Sequence, residues 1–144
     1  MIKPALWIFA LLFMVALYAD VATIKAEPNL EKRARLALTE AGDVLTTAQG
    51  AYEKGDLPGA QAALLKMLEL VEAAQSALAE THKNPVRSPK HFKNAEVKSR
   101  ELLKRIEGFE RSMDFQDRNL IEPAKTKIQE IHDVWLLGIM GPKK

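Results

Sequence analysis

Apolar residues recur at spacings of four and three along most of this chain. Leu30, Ala34, Ala37, Ala41, Val44, Ala48 and Ala51 form a first series, and Leu57, Ala60, Leu64, Met67, Val71, Ala74 and Leu78 a second. Phe92, Ala95, Ser99, Leu102, Ile106, Phe109 and Met113 form a third. Ile121, Ala124, Ile128, Ile131, Trp135 and Ile139 form a fourth, interrupted only by Gly138. This spacing puts each series on one face of an α-helix. Leu38, Leu45, Tyr52, Leu68 and Leu103 widen the stripes beyond a strict coiled-coil line. No segment alternates with period two, so the pattern predicts no sheet.

The boundaries have local chemistry. Asn29 is placed to cap the first helix by accepting from a free N–H. Lys54–Gly55–Asp56 reads as a turn, with Gly55 left-handed and Asp56 capping the next helix. Ser88–Pro89 reads as a cap followed by proline in the first turn. The fourth start has two readings: Asn119 with Glu122 as a capping box, or Glu122 as cap with Pro123 first. Phe115, in the connection before it, is expected to pack beneath the chain. The expected helices run over about 30–54, 57–81, 89–113 and 120–140, each roughly 30–37 Å long. Matched lengths and short connections predict an all-α, up-down-up-down four-helix bundle built of two helical hairpins. The alanine-rich first pair is expected to approach closely. The second pair, with Phe92, Phe109 and Trp135, is expected to sit wider.

Before these helices stands "MIKPALWIFALLFMVALYADVATIKA". Lys3 precedes an apolar, uncharged run from Ala5 to Ala19, which has the length of a secretory leader and is short for a membrane span. Residues 1–26 are expected to be a signal peptide cut after Ala26, with Ala22 and Ala19 as alternative sites. An uncleaved inner-membrane anchor over residues 4–19 is the other reading. Residues 27–144 then make a single domain, large enough for one core. The chain has no cysteine, which excludes disulfides, thiol catalysis and lipid attachment at a leader cysteine. A leader without cysteine points to a bacterial periplasmic or secreted protein.

The stretch "AYEKGDLPGAQAALLKMLEL", Ala51 to Leu70, resembles one tetratricopeptide-type hairpin. Tyr52, Gly55, Asp56, Leu57, Ala60, Leu64 and Leu68–Glu69–Leu70 sit where such repeats place an aromatic, a turn and small-to-aliphatic packing. The family's Trp and closing Pro are absent, and no second copy follows at the repeat period. The resemblance implies a helix–turn–helix here and no peptide-binding groove.

Charge is segregated along the chain. Residues 27–80 carry a net −4, residues 81–106 a net +6 and residues 107–144 a net −1. On the third helix Lys93, Arg100, Lys104 and Arg111 fall within about 40° of one another, off the apolar face. Lys98 and Arg105 lie on the other flank, and Lys83, Arg87 and Lys90 precede the helix. Such a stripe suits an anionic membrane or cell-wall surface, or it is a solvated face with pairs at Glu96–Arg100, Glu101–Arg105 and Glu107–Arg111. No aromatics interleave with the basic residues, so nucleic acid is not expected.

Near the C-terminus, Val134, Trp135, Leu136, Leu137, Ile139 and Met140 surround most of the last helix and cannot all face one core. Trp135, Leu136, Leu137, Ile139 and Met140 are therefore candidates for covering the bundle end or contacting a protein partner or second copy. No metalloprotease, P-loop, nucleophile-elbow or haem-attachment motif is present. The three histidines are scattered, and Gln129 stands where a bundle metal site would place Glu before His132. No catalytic residue, cofactor or metal is expected. The sequence reads as an exported, non-enzymatic helical scaffold or adaptor.

Overall fold

The computed structural model describes residues 21–142. Most of the expected leader, residues 1–20, lies outside the described residues, as do Lys143 and Lys144. The described residues are all-helical, with no strand among them. A helical turn over residues 21–25 leads into α1 (Leu30–Glu53), α2 (Leu57–Glu80), α3 (Lys90–Ser112), a 3-10 helix (Phe115–Leu120) and α4 (Glu122–Met140). Among the described residues, no helix is long and apolar enough to cross a membrane.

The first two caps form as the sequence predicts. Asn29 Oδ1 accepts from the Lys32 N–H at 3.0 Å, and Asp56 Oδ1 from the Gly59 N–H at 2.9 Å. Gly55 turns the chain between α1 and α2 with φ +79°, a conformation that a Cβ disfavours. The helix–turn–helix over residues 51–70 is therefore present. His82 takes the left-handed position after α2, with φ 54°. Its N–H donates to the Ala79 carbonyl at 3.1 Å, closing the helix where glycine is the usual residue.

The other two starts differ from expectation. Pro89, not Ser88, occupies the cap position of α3, and no side chain caps that end. The reason lies upstream: Asn84 organises the linker, its Oδ1 accepting from the Val86 N–H at 2.8 Å and its carbonyl from the Ser88 N–H at 2.8 Å. Ser88 is thereby held in that turn. At α4, Ile121 is the cap residue and Pro123 lies in the first turn, so neither reading of Asn119 or Glu122 as cap holds. The preceding 3-10 winding delivers the chain already coiled, with the Ile121 N–H bonded to the Arg118 carbonyl at 3.2 Å. Phe115 does not pack beneath this connection. It is 86% exposed, while Met113 and Ile121 on either side are buried.

α1 and α2 pack closely along their length, and Ala34, Ala37, Ala41 and Ala48 on one helix and Ala60, Ala63, Ala74 and Ala77 on the other are buried. The backbones of α3 and α4 meet less closely, and these helices bury the large side chains of Phe92, Phe109 and Trp135. Beyond these two pairs, α3 lies beside α1 and α4 beside α2. α2 and α3, consecutive in the chain, barely touch. The linker 81–89 crosses the end of the molecule and seats Pro85 against Gly138 of α4. One core runs through all four helices and takes in Val21 and Ile24 of the N-terminal turn.

Polar ties fasten each end. At one, Glu31 of α1 pairs with Lys83 of the linker and, at 3.2 Å, with His91 of α3. The Lys83 hydrogen bond is the chief reason the Glu31 carboxyl is held below the usual carboxylate range. At the other end, the Tyr52 hydroxyl accepts from the Asp114 N–H and donates to Asp117 Oδ2, both at 2.9 Å. Its ring meets Phe109 edge-on, with centroids 5.6 Å apart.

Glycines inside the helices give a direct test of this packing. A Cβ at Gly50 or Gly108 meets nothing within 4 Å. Gly50→Ala and Gly108→Ala should each raise stability by about 0.5–1 kcal/mol, because alanine holds a helix better. Gly55→Ala should lower it by about 1 kcal/mol, because its φ is positive. Urea unfolding followed by circular dichroism reads all three.

Candidate functional site

Two surfaces carry the residues singled out by the sequence, and they lie on different helices. On α3, Lys93, Arg100, Lys104 and Arg111 are all exposed. They share one face because steps of seven and four bring a helix back to nearly the same angle. Val97, partly exposed, sits among them. Lys93, Lys104 and Arg111 form no ion pair among the described residues, whereas Arg100 Nε lies 3.1 Å from Glu96 Oε1. Of the three intrahelical pairs expected from the sequence, only Glu96–Arg100 forms. Arg105 instead donates to the Thr46 hydroxyl of α1 at 2.8 Å, which ties α3 to α1 and turns Arg105 away from Glu101.

The residues of the C-terminal segment divide. Trp135 is buried in the core, and Leu136 and Ile139 are half-buried. Trp135 is therefore a core residue, not part of an exposed contact. Leu137 and Met140 are 70% and 72% exposed, and Val134 joins them on the outer side. Successive members of this trio are three residues and about 60° apart, so they fan across the outer face of α4 as an apolar ridge.

The interior between α3 and α4 holds a polar group that the sequence only hinted at. His132 is buried, with Nε2 3.2 Å from the same Glu96 Oε1 that receives Arg100. Its Nδ1 lies 3.4 Å from Asp133 Oδ1, which also accepts from Gln129 Nε2 at 2.9 Å. Ser99, fully buried nearby, satisfies its hydroxyl on the Glu96 carbonyl at 3.0 Å. Glu96 thus links the inner histidine to the outer basic face. Only the closeness of Glu96 and Arg100 in sequence marked this residue. Its link to His132 joins positions 36 apart, which no local pattern reveals.

Among the described residues no group of three or more His, Asp or Glu side chains is arranged to hold a metal ion. One hollow, about 570 Å³ and open to solvent, lies along Arg118, Asn119, Glu122, Thr126, Lys127 and Glu130. Its charges are of both signs, and Lys127 pairs with Glu130 at 3.5 Å. No protein-family model matches the chain, and the comparisons with curated proteins and with solved structures find no match.

The Glu96 link is testable. Glu96→Ala leaves the buried His132 without its partner on α3 and frees Arg100. It should cost about 2 kcal/mol in thermal or urea unfolding, against under about 1 kcal/mol for Arg100→Ala at the exposed end of the same pair.

Proposed function

We propose that this chain is an exported, non-enzymatic helical scaffold that acts through protein–protein contacts, with either a second copy or another envelope protein. We read its helices as an up-down-up-down bundle of two hairpins. The observation that carries the functional reading is the apolar ridge of Val134, Leu137 and Met140. Three large apolar side chains fanned on one helix gain from being covered by a partner. The leader-like N-terminal sequence supports a place beyond the inner membrane, periplasmic or secreted, or anchored there by residues 4–19.

Leu137→Glu with Met140→Glu should leave the fold intact, since both residues are exposed, and should abolish contacts made through the ridge. Crosslinking in the native envelope, with light scattering of the purified protein, reads the outcome. A strict monomer with no crosslinked neighbour would remove the basis of this reading.

A second reading has its own observation. Lys93, Lys104 and Arg111 are exposed and unpaired on one face of α3, which suits anionic envelope material such as lipid headgroups or wall polymer. It ranks second because Arg100 is matched by Glu96, and exposed Glu107 lies close to the stripe. Reversing Lys93, Arg100, Lys104 and Arg111 to Glu should eliminate salt-sensitive cosedimentation with anionic vesicles. Equal binding by the reversed protein would exclude this face.

A further inference from the structure

The turn that follows the leader-like sequence is built into the fold. Val21 and Ile24 are 5% and 9% exposed and belong to the common core. Lys25 Nζ lies 2.7 Å from Glu69 Oε1 on α2, and that hydrogen bond is the main reason the Glu69 carboxyl is held below its ordinary range. No loose linker separates this turn from α1. The Ala26 N–H donates to the Ala22 carbonyl at 3.0 Å, and the Glu27 N–H to the Ile24 carbonyl at 3.1 Å. The Arg33 side chain then holds the Glu27 carbonyl at 2.8 Å.

We propose that residues 20–26 belong to the mature protein, and that removal of the leader, where it occurs, cuts at or before Ala19. This deepens the export reading and rests on it. Cutting chemistry alone does not choose the site. Leader peptidase prefers a small side chain three places before the cut, and Ala19, Ala22 and Ala26 have Leu17, Asp20 and Ile24 there. The fold does choose. A cut after Ala26 strips Val21 and Ile24 from the core, bares the apolar surface they cover and leaves Glu69 with Lys66 alone, at 3.1 Å. A cut after Ala22 removes Val21. A cut after Ala19 removes none of these contacts, and the apolar run ends there.

The test uses the full-length chain, expressed with export and purified from the envelope. Intact mass should correspond to a chain that begins at Asp20 or earlier. A chain beginning at Thr23 or Glu27 overturns the proposal. Val21→Asp, made in the full-length chain, separates the two outcomes a second way. If residue 21 is kept, a buried carboxylate should lower the melting temperature by roughly 5 °C or more. If the residue is discarded, the purified protein melts unchanged, and the proposal fails. Should that variant not accumulate, Val21→Ala gives the milder form, with an expected drop of about 2 °C or more and the same overturning result. Protease added to spheroplasts tests export separately. A chain it cannot reach would sink the export reading, and the melting comparison would still decide whether residue 21 is part of the fold.

Discussion

The small-residue seam between α1 and α2 sets the geometry of everything else. Ala34, Ala37, Ala41 and Ala48 of α1 and Ala60, Ala63, Ala74 and Ala77 of α2 are all buried, and the two backbones come close along much of their length. Such an interface gains through close backbone approach and dense van der Waals contact, with little contribution from any one side chain. Leu64, Met67, Leu70 and Val71 are all fully buried, so α2 is covered over far more of its surface than one partner helix can reach. α4 covers part of it, and the turn at residues 21–25 joins the same core.

Apolar burial does not by itself fix how one hairpin slides on the other, because leucine and alanine faces tolerate many registers. The polar ties at the two ends supply that information. Glu31 reaches both the linker and the start of α3, and Tyr52 reaches the segment after α3. Sliding α3 by one turn along α1 would break both sets together. Between them, nearer the Tyr52 end, the Arg105 bond to Thr46 holds the same register. Each contact is modest alone, because most are partly exposed and screened by water. Three at separate heights along a helix pair specify alignment better than one strong contact would.

Much of this was legible in the sequence, and what was not has identifiable causes. The four helices, the Asn29 and Asp56 caps and the closer first hairpin follow from local spacing and residue size, which sequence displays directly. The width of the buried face of α2 was underestimated, since Ala63, Leu70 and Ala77 are buried although they lie outside the four-and-three series. Periodicity reports one neighbour, and α2 has more than one. Phe115 misled for a different reason. Its hydrophobicity predicts burial, but the 3-10 winding points Met113 and Ile121 inward and leaves Phe115 outside, with the Arg118 guanidinium 5.8 Å from its ring centre. The basic residues of α3 were found because they share one helix. The partners of Glu96, Glu31 and Tyr52 were not, because those pairings span 36 to 65 residues and depend on how the hairpins stack.

The same stacking braces the exposed ridge on α4 differently from the equally exposed Phe115. Binding costs entropy wherever it must order a segment first. The ridge sits on a helix whose opposite face is fixed by buried Ile131, His132 and Trp135 and by half-buried Ile139. Its last turns are braced as well. Pro85 rests against Gly138, where a Cβ would come within 3.2 Å of the ring, and Val86 approaches Gly141. Phe115 stands on a short 3-10 segment with no buried residue of its own. Leu137 and Met140 therefore stand on a backbone held by buried side chains and by the linker, whereas the Phe115 segment is held by the Tyr52 bonds to Asp114 and Asp117. Gly138 breaks the apolar series of α4, and in doing so lets the linker in to stiffen the helix beneath the ridge.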